Sequence, residues 1–343
     1  MTPPPGRQRG DTADTGRPEC HPADTAGARH RIGFLGPRAT FAEQALHTLP
    51  EAAEAELVPC AGSPAVLAAL RAGSIDAGFV PIENTVEGAV PAVLDGLVDD
   101  PPLVIVREAV LAVEFDLMAK PGTRLADIRR VASHSHGIAQ TRGWIAEHLP
   151  HAEVLLATST AEAAAQVTRG ELDAAVASPL AAQQHGLAVL AADIADNAGA
   201  VTRFALLQPP GPLPAPTGDD RTTLAATTQN RPGSLLGLLT ELAVRGIDLT
   251  RIESRPIKDR HAEYWFHLDC TGHIADPAMG EALAALHRRC DRVRFLGSYP
   301  RAGSANGTAP GVGAPAVPEH GTDAAAFAAA ERWLAGLRSG APA

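Results

Sequence analysis

The sequence predicts an α/β protein in two parts: two similar α/β lobes facing each other across a cleft, then a smaller ferredoxin-like βαββαβ unit. Three observations lead there. From Arg31 onward, short aliphatic strands alternate with helical stretches, as a sheet flanked by helices requires. Within that run Arg71-Ala72-Gly73-Ser74-Ile75-Asp76-Ala77-Gly78-Phe79 is echoed about a hundred positions later by Thr168-Arg169-Gly170-Glu171-Leu172-Asp173-Ala174-Ala175-Val176. Both read as a helix end, a glycine suited to a left-handed cap, and a buried strand. Chance likeness of two helix-strand joints is the plainer alternative to a repeat. Finally, Gln208-Pro209-Pro210-Gly211-Pro212-Leu213-Pro214-Ala215-Pro216 cannot lie inside a packed domain, because proline lacks the donor that a central strand or helix needs.

In chain order, residues 31–35 form a strand, and Gly36-Pro37-Arg38-Ala39 turns it into a helix beginning near Thr40. Thr40-Phe41-Ala42-Glu43 is a capping box, in which two side chains satisfy two free amides. Strands and helices follow at 55–59, 63–72, 75–82, 89–98, 103–119 (one long extended stretch), 130–133, 137–149, 153–156, 160–169, 172–177 and 188–190. A strand at 201–207 closes this part. The second part scans as a strand at 222–228, a turn Asn230-Arg231-Pro232-Gly233-Ser234-Leu235 into an amphipathic helix, paired strands at 247–257 and 263–269, a helix at 278–290 and a strand at 293–299. The stripe Leu235, Leu238, Leu239 and Leu242 reads as core packing. The expected divisions are a disordered leader (1–30), the two-lobed domain (31–208), a Pro-rich linker (209–220), the second domain (221–300), and a flexible linker with a short helix (301–343). That last helix, with Phe327, Trp333 and Leu337, is apolar enough on one side to dock on the body or on a partner subunit.

Composition removes several classes of function. The chain has 343 residues, 45% hydrophobic, with 39 acidic against 29 basic side chains and a net charge of −10. That balance argues against a nucleic-acid or membrane surface as the main partner and leaves small metabolites. Cys20, Cys60, Cys270 and Cys290 are scattered without metal-ligand spacing, which predicts free, mostly buried thiols in a reducing cytoplasm. There is no secretory signal and no apolar run near the roughly 20 residues of a membrane span.

Three polar clusters fall where strands end and helices begin. They are Pro81-Ile82-Glu83-Asn84-Thr85-Val86-Glu87-Gly88, Ser133-His134-Ser135-His136-Gly137-Ile138-Ala139-Gln140, and Thr202-Arg203 in the last strand. Helix amino ends offer unpaired amides and partial positive charge, so a cleft lined by them suits a small di-acid without many lysines. Taken singly, the Asn84/Thr85 and Ser133/Ser135 pairs are equally open to a reading as helix caps, and Thr-Arg to one as an exposed edge. His134-x-His136 lacks further ligands and neighbouring carboxylates, so no metal is expected. With no nucleophile elbow, P-loop, dinucleotide fingerprint or CxxC, no cofactor is expected either. The chemistry falls to hydroxyls, amides and a guanidinium.

At these residues the sequence resembles the prephenate dehydratase family. The likeness runs through Gly33-Phe34-Leu35-Gly36-Pro37 with Thr40-Phe41, Val80-Pro81-Ile82-Glu83-Asn84 with Glu87-Gly88, Ser133-His134 with Gln140, and Thr202-Arg203-Phe204. Asn230 to Leu235 and Glu253-Ser254-Arg255-Pro256 are similar to the two signatures of the ACT module that follows in that family. The resemblance implies a periplasmic-binding-protein-like catalytic domain converting prephenate to phenylpyruvate, water and carbon dioxide. It implies Thr202 as donor to the departing hydroxyl, and Arg203, Glu83, Asn84, Ser133 and Gln140 as further catalytic residues. Thr40, Thr85, His134 and Phe204 are implied at the substrate. Phenylalanine would bind between subunits of a homodimer or homotetramer at Asn230, Pro232, Gly233, Ser234, Leu235, Glu253, Ser254, Arg255 and Pro256. The chain departs from the family at Ala39, where a glycine commonly precedes the threonine, and at Ser135-His136, where Pro and Gln are common. Those departures bear on substrate preference, with arogenate the competitor. A non-catalytic, ligand-sensing pair of lobes is the alternative of a different class.

Overall fold

The structure, a computed structural model, describes residues 30–258, 260, 262–303 and 321–339. The expected leader, apart from His30, and most of the expected flexible linker after residue 301 lie outside the described residues.

The first lobe opens with β1 (Arg31–Leu35), α1 (Phe41–Leu46), β2 (Glu56–Cys60), α2 (Ser63–Arg71), β3 (Ala77–Asn84), β4 (Gly88–Ala89), α3 (Pro91–Leu97) and β5 (Val104–Ala112). The second lobe holds β6 (Asp116–Ala119), β7 (Arg130–Ser133), α4 (Ser135–His148), β8 (Glu153–Leu156), α5 (Thr160–Arg169), β9 (Ala174–Ala177), α6 (Pro179–His185) and β10 (Ala188–Ala191). The extended stretch expected at 103–119 is thus two strands in two sheets, β5 and β6, with the crossing between lobes at residues 113–115. The chain returns through β11 (Val201–Gln208), which enters the first sheet between β3 and β5 to give the order β2-β1-β3-β11-β5, with β4 on β3. The second sheet runs β10-β6-β9-β7-β8.

The internal echo is present in the hydrogen bonds. Gly73 (φ +69°) follows α2 and Gly170 (φ +81°) caps α5, both in the left-handed region where glycine carries no Cβ penalty. Asp76 then accepts the backbone N–H of Arg31 at 2.7 Å, and Asp173 that of Arg130 at 2.8 Å. Each lobe therefore uses its aspartate to pin the start of a parallel neighbouring strand, β1 or β7.

The third sheet contains β12 (Asp220–Thr227), β13 (Leu249–Pro256), β14 (Tyr264–Thr271) and β15 (Arg292–Pro300), in the antiparallel order β13-β14-β12-β15. Its helices α7 (Ser234–Ala243) and α8 (Pro277–Arg289) cover one face through Leu224, Ala226, Leu268, Leu238, Leu242 and Leu286. The other face is buried as well. Ala225, Trp265, Leu296 and Tyr299 join Leu97, Leu103, Ile105 and Leu207 of the first lobe in one apolar cluster. The approach is close at Gly297, where an added Cβ would stand 2.2 Å from the carbonyl oxygen of Ile105. This explains why β12 is buried almost throughout instead of alternating. α9 (Ala324–Arg338) lies against α8 with Trp333 and Leu337 still substantially exposed.

Cys270 and Cys290 are free and buried, as expected, but Cys60 is disulfide-bonded, which corrects the expectation of free thiols throughout. Among the described residues no helix is long and apolar enough to cross a membrane.

Candidate active site

Because side chains alternate along a strand, neighbours at the end of β11 face opposite ways. Thr202 stands opposite Asn84, and Arg203 opposite Glu83. On the Thr202 side, Asn84 Oδ1 accepts the backbone N–H groups of Val86 at 2.8 Å and Glu87 at 3.0 Å. That fixes the amide orientation, so Asn84 Nδ2 donates to Thr202 Oγ1, at 2.8 Å. Thr202 accepts this bond and spends its own proton on no partner among the described residues. A half-buried hydroxyl that is positioned from behind, with a proton still to give, is a built donor.

Across the strand lies an ionic cluster. Arg203 Nη1 donates to Glu108 at 3.1 Å, and its Nη2 donates both to Glu83 at 3.2 Å and to Asp269 of β14. Arg221 reaches Glu108, while Arg251 Nε stands 3.1 Å from Glu83 Oε2. Burial would raise the Asp269 carboxyl, but Arg203, Arg221 and Arg251 hold it below the usual carboxylate range. A cavity of about 180 Å³ opens here, lined by Thr85, Val110, Val201 and Thr250 besides all of these charged groups except Glu108. Glu83, expected to line the site, and Arg203, open from the sequence to pairing with a carboxylate or bracing the site, are therefore joined to each other and to the third sheet. Glu108, Arg221, Arg251 and Asp269 were not anticipated. The available signal was a lone carboxylate in an apolar strand, as in Val106-Arg107-Glu108-Ala109-Val110 and Phe266-His267-Leu268-Asp269-Cys270.

On the second lobe, Ser133 is fully buried and donates to the carbonyl of Val176 at 2.6 Å. Its proton is thus committed inside the sheet. His134 caps α4, accepting the N–H of His136 on Nδ1 at 3.3 Å, and burial followed by the neighbouring His136 pushes its imidazole below the usual pKa. Gln140 is buried in α4, and its side-chain amide has no hydrogen-bond partner among the described residues. In the first lobe Thr40 donates to Leu35 O at 3.0 Å and caps Glu43 N at 3.4 Å, so it serves the helix start. Glu43 reaches back to the N–H of Ala39, one residue earlier than a capping box places it. The lobes meet at this point, Ser178 Oγ donating to Ala39 O at 3.0 Å. Thr85 accepts Val201 N at 3.0 Å. Phe204, 2% exposed, stacks on Phe79 at 5.2 Å between ring centroids, so its ring packs in the first lobe's core. Among the described residues no group of three or more His, Cys, Asp or Glu could hold a metal ion.

Both expected effector stretches lie on the third sheet's unit. Gly233, at φ +83°, caps α7, with Asn230 and Pro232 exposed beside it and Ser234 and Leu235 half-buried. β13 is an edge strand on which Ser254 and Pro256 are exposed, while Glu253 and Arg255 alternate toward the interior. Arg255 pairs with both oxygens of Asp95 in α3, at 3.0 and 3.3 Å, so it ties the unit to the first lobe.

Two α/β lobes, with a ferredoxin-like unit packed on the first of them, define a two-lobed ligand-binding architecture with a smaller attached domain. The family model described as Prephenate dehydratase matches residues 32–211, and that of the ACT domain residues 222–288. A prephenate dehydratase of Amycolatopsis methanolica is 49% identical over 301 residues, covering 88% of this chain and 97% of the relative. The crystal structure of a prephenate dehydratase from Arthrobacter aurescens in complex with L-Phe is similar at a TM-score of 0.81 and 43% identity, covering 90% of this chain and 99% of that one. A structure described as GqqA, a novel type of quorum quenching acylase, is similar at a TM-score of 0.72 and 32% identity, covering 79% and 98%. The chain belongs to the prephenate dehydratase family, with an ACT domain at its C-terminal side.

Proposed function

We propose that this chain is a carbon-oxygen lyase that converts prephenate to phenylpyruvate, water and carbon dioxide in the cytoplasm, on the way to phenylalanine. The observation that carries the reading is Thr202 Oγ1, which accepts from Asn84 at 2.8 Å and keeps its own proton available. Breaking the bond to the ring carboxylate leaves its electron pair in the ring. The ring becomes aromatic as the 4-hydroxyl departs, and the overall change is strongly downhill. What the site must supply is placement and a hydrogen bond that strengthens as charge builds on the departing oxygen. A threonine hydroxyl is too weak an acid to transfer its proton early, so Thr202 acts as a positioned donor. In this reading Gln140, whose side-chain amide has no partner among the described residues, and His134 of the second lobe orient the carboxylates. Appearance of phenylpyruvate absorbance on mixing with prephenate, repeated with arogenate, tests the reading and its substrate preference. No product from either substrate would overturn it.

Regulation by phenylalanine follows from the ACT domain and from the relative that carries L-Phe. The turn at Gly233 and the open edge of β13 present half a site each, which supports an effector held between copies in a homodimer or homotetramer. At Gly233 a Cβ would meet nothing within 4 Å, but the left-handed backbone disfavours a branched residue. Gly233→Val is expected to lose phenylalanine inhibition while keeping turnover. Undiminished inhibition in that variant would remove the turn from the effector site.

A further inference from the structure

The strand pair that carries Thr202 and Asn84 is least regular beside the site. β3 and β11 match at Thr202–Asn84 and Arg203–Glu83, then shift register, so that Phe204 stands opposite Pro81 and Ile82 is left over. A bulge interrupts the ladder, and Pro81 has no N–H to contribute on the far side of it. Side chains therefore fix the two pairs at the strand end: Asn84 to Thr202 on one face, Arg203 to Glu83 on the other.

Both members of the second pair end on groups from the ACT domain. Arg203 donates to Asp269 of β14, and Glu83 Oε2 receives Arg251 Nε of β13 at 3.1 Å. Asp269 is held in its turn by Thr223 Oγ1 at 2.7 Å, and Thr223 by the hydroxyl of Tyr299 at 2.7 Å. Arg203, Arg221 and Arg251 face Glu83, Glu108 and Asp269, a balanced set with no net charge to recruit an ion. The arrangement is a brace.

We infer that Asp269 and Arg251 of the ACT domain are positioning residues for the dehydration, holding Arg203 and Glu83 so that the adjacent Thr202 and Asn84 stay in register. The inference deepens the dehydratase reading and rests on it. Both act through Arg203 and Glu83, which they contact directly. The regulatory domain thereby becomes part of the machinery that sets the donor. β13 carries both Arg251 and the expected effector residues Glu253 to Pro256, so a shift of that strand is delivered to Glu83 directly.

The test is a cycle of kcat and KM measurements on the full chain with prephenate. Asp269→Asn is expected to lower kcat at least tenfold with KM changed less than threefold. In a Thr202→Val background, the same substitution should cost less than twofold, because the residue it positions is already gone. An unaltered kcat in Asp269→Asn, or an equal loss in both backgrounds, would overturn the inference, the latter marking a general structural role. Should Asp269→Asn not fold, Thr223→Val removes the hydroxyl that orients Asp269 while leaving the charge. A kcat loss of threefold or more that vanishes in the Thr202→Val background supports the brace, and no loss or an equal loss overturns it. A wild-type chain inactive on prephenate and arogenate would sink the dehydratase reading itself, and the inference with it, before any variant is made.

Discussion

The two lobes start alike and finish differently. Asp76 and Asp173 pin the starts of β1 and β7 in the same way, at 2.7 and 2.8 Å. At the other ends of the sheets, one hydroxyl is left free to act and the other is not. Thr202 accepts from Asn84 and keeps its proton, whereas Ser133 gives its proton to Val176 O in a fully buried position. Among the described residues, the first lobe alone shares a core cluster with the ACT domain. A common joint is therefore built into two different settings: the covered lobe holds a hydroxyl with its proton unspent, and the other holds one committed to a backbone carbonyl. Fold-level similarity between lobes does not by itself distribute function equally.

The sharpest way to break this comparison is to remove each hydroxyl in turn. Thr202→Val is expected to lower kcat by a factor on the order of 10²–10³, about 2.7–4 kcal/mol, with the fold retained. Ser133→Ala should leave kcat within a few-fold, and its cost should appear in stability instead, about 1–3 kcal/mol for an unpaired buried carbonyl. Equal kcat losses in the two variants would erase the distinction between the lobes.

Acid should separate them next. His267 of β14 is fully buried, both of its ring nitrogens lack a partner, and burial, followed by the nearby Arg251, lowers its pKa to about 4. The unfolded chain binds that proton near pH 6.5, so stability is complete above pH 6.5 and declines as the pH falls toward 4. The shift corresponds to a loss on the order of 3 kcal/mol. Thermal melts across that window should show the decline, and His267→Phe should flatten it. Hydrogen exchange should place the loosening in the ACT domain and first lobe, with the strands of the second lobe affected less. A decline of the same size in His267→Phe would assign the acid sensitivity to other groups.

Much of this architecture was legible in the residues. The glycine and aspartate of the echo, the Pro-rich exit and the period of the second unit's strands are local signals, and local physics sets those elements. The Thr202–Asn84 pair was legible only as two motifs, since a contact between residues 118 positions apart leaves no mark on either neighbourhood. The Arg203 cluster was less visible still. Its members come from β3, β5, β11, β12, β13 and β14, and each reads alone as an ordinary charge at a strand surface. Burial of the second face of the ACT sheet turned those exposed-looking residues inward. The core packing of Phe204 was hidden for a related reason: a register shift separates it from Arg203, and a strand that alternates past a bulge can send an aromatic into the core.

The smallest effect concerns Ala39, where the lobes touch. It sits at φ +66° with no exposure, in a backbone region that costs a non-glycine residue about 1–2 kcal/mol. Glycine would relieve that strain. Yet the Ala39 methyl packs into the second lobe's cluster with Met118, Ala163 and Ala181, and burying one such group is worth about 0.8 kcal/mol. Glycine would also add about 0.5–1 kcal/mol of chain entropy to the unfolded state. The terms nearly cancel, which accounts for an alanine being tolerated at a left-handed position. Ala39→Gly is therefore expected to change stability by less than about 0.5 kcal/mol in urea unfolding, with the Ser178 bond to the Ala39 carbonyl retained. A gain of well over 1 kcal/mol would show that the methyl contributes little to holding the lobes together. A comparable loss would make it the stronger link across the cleft, with the backbone strain the minor term.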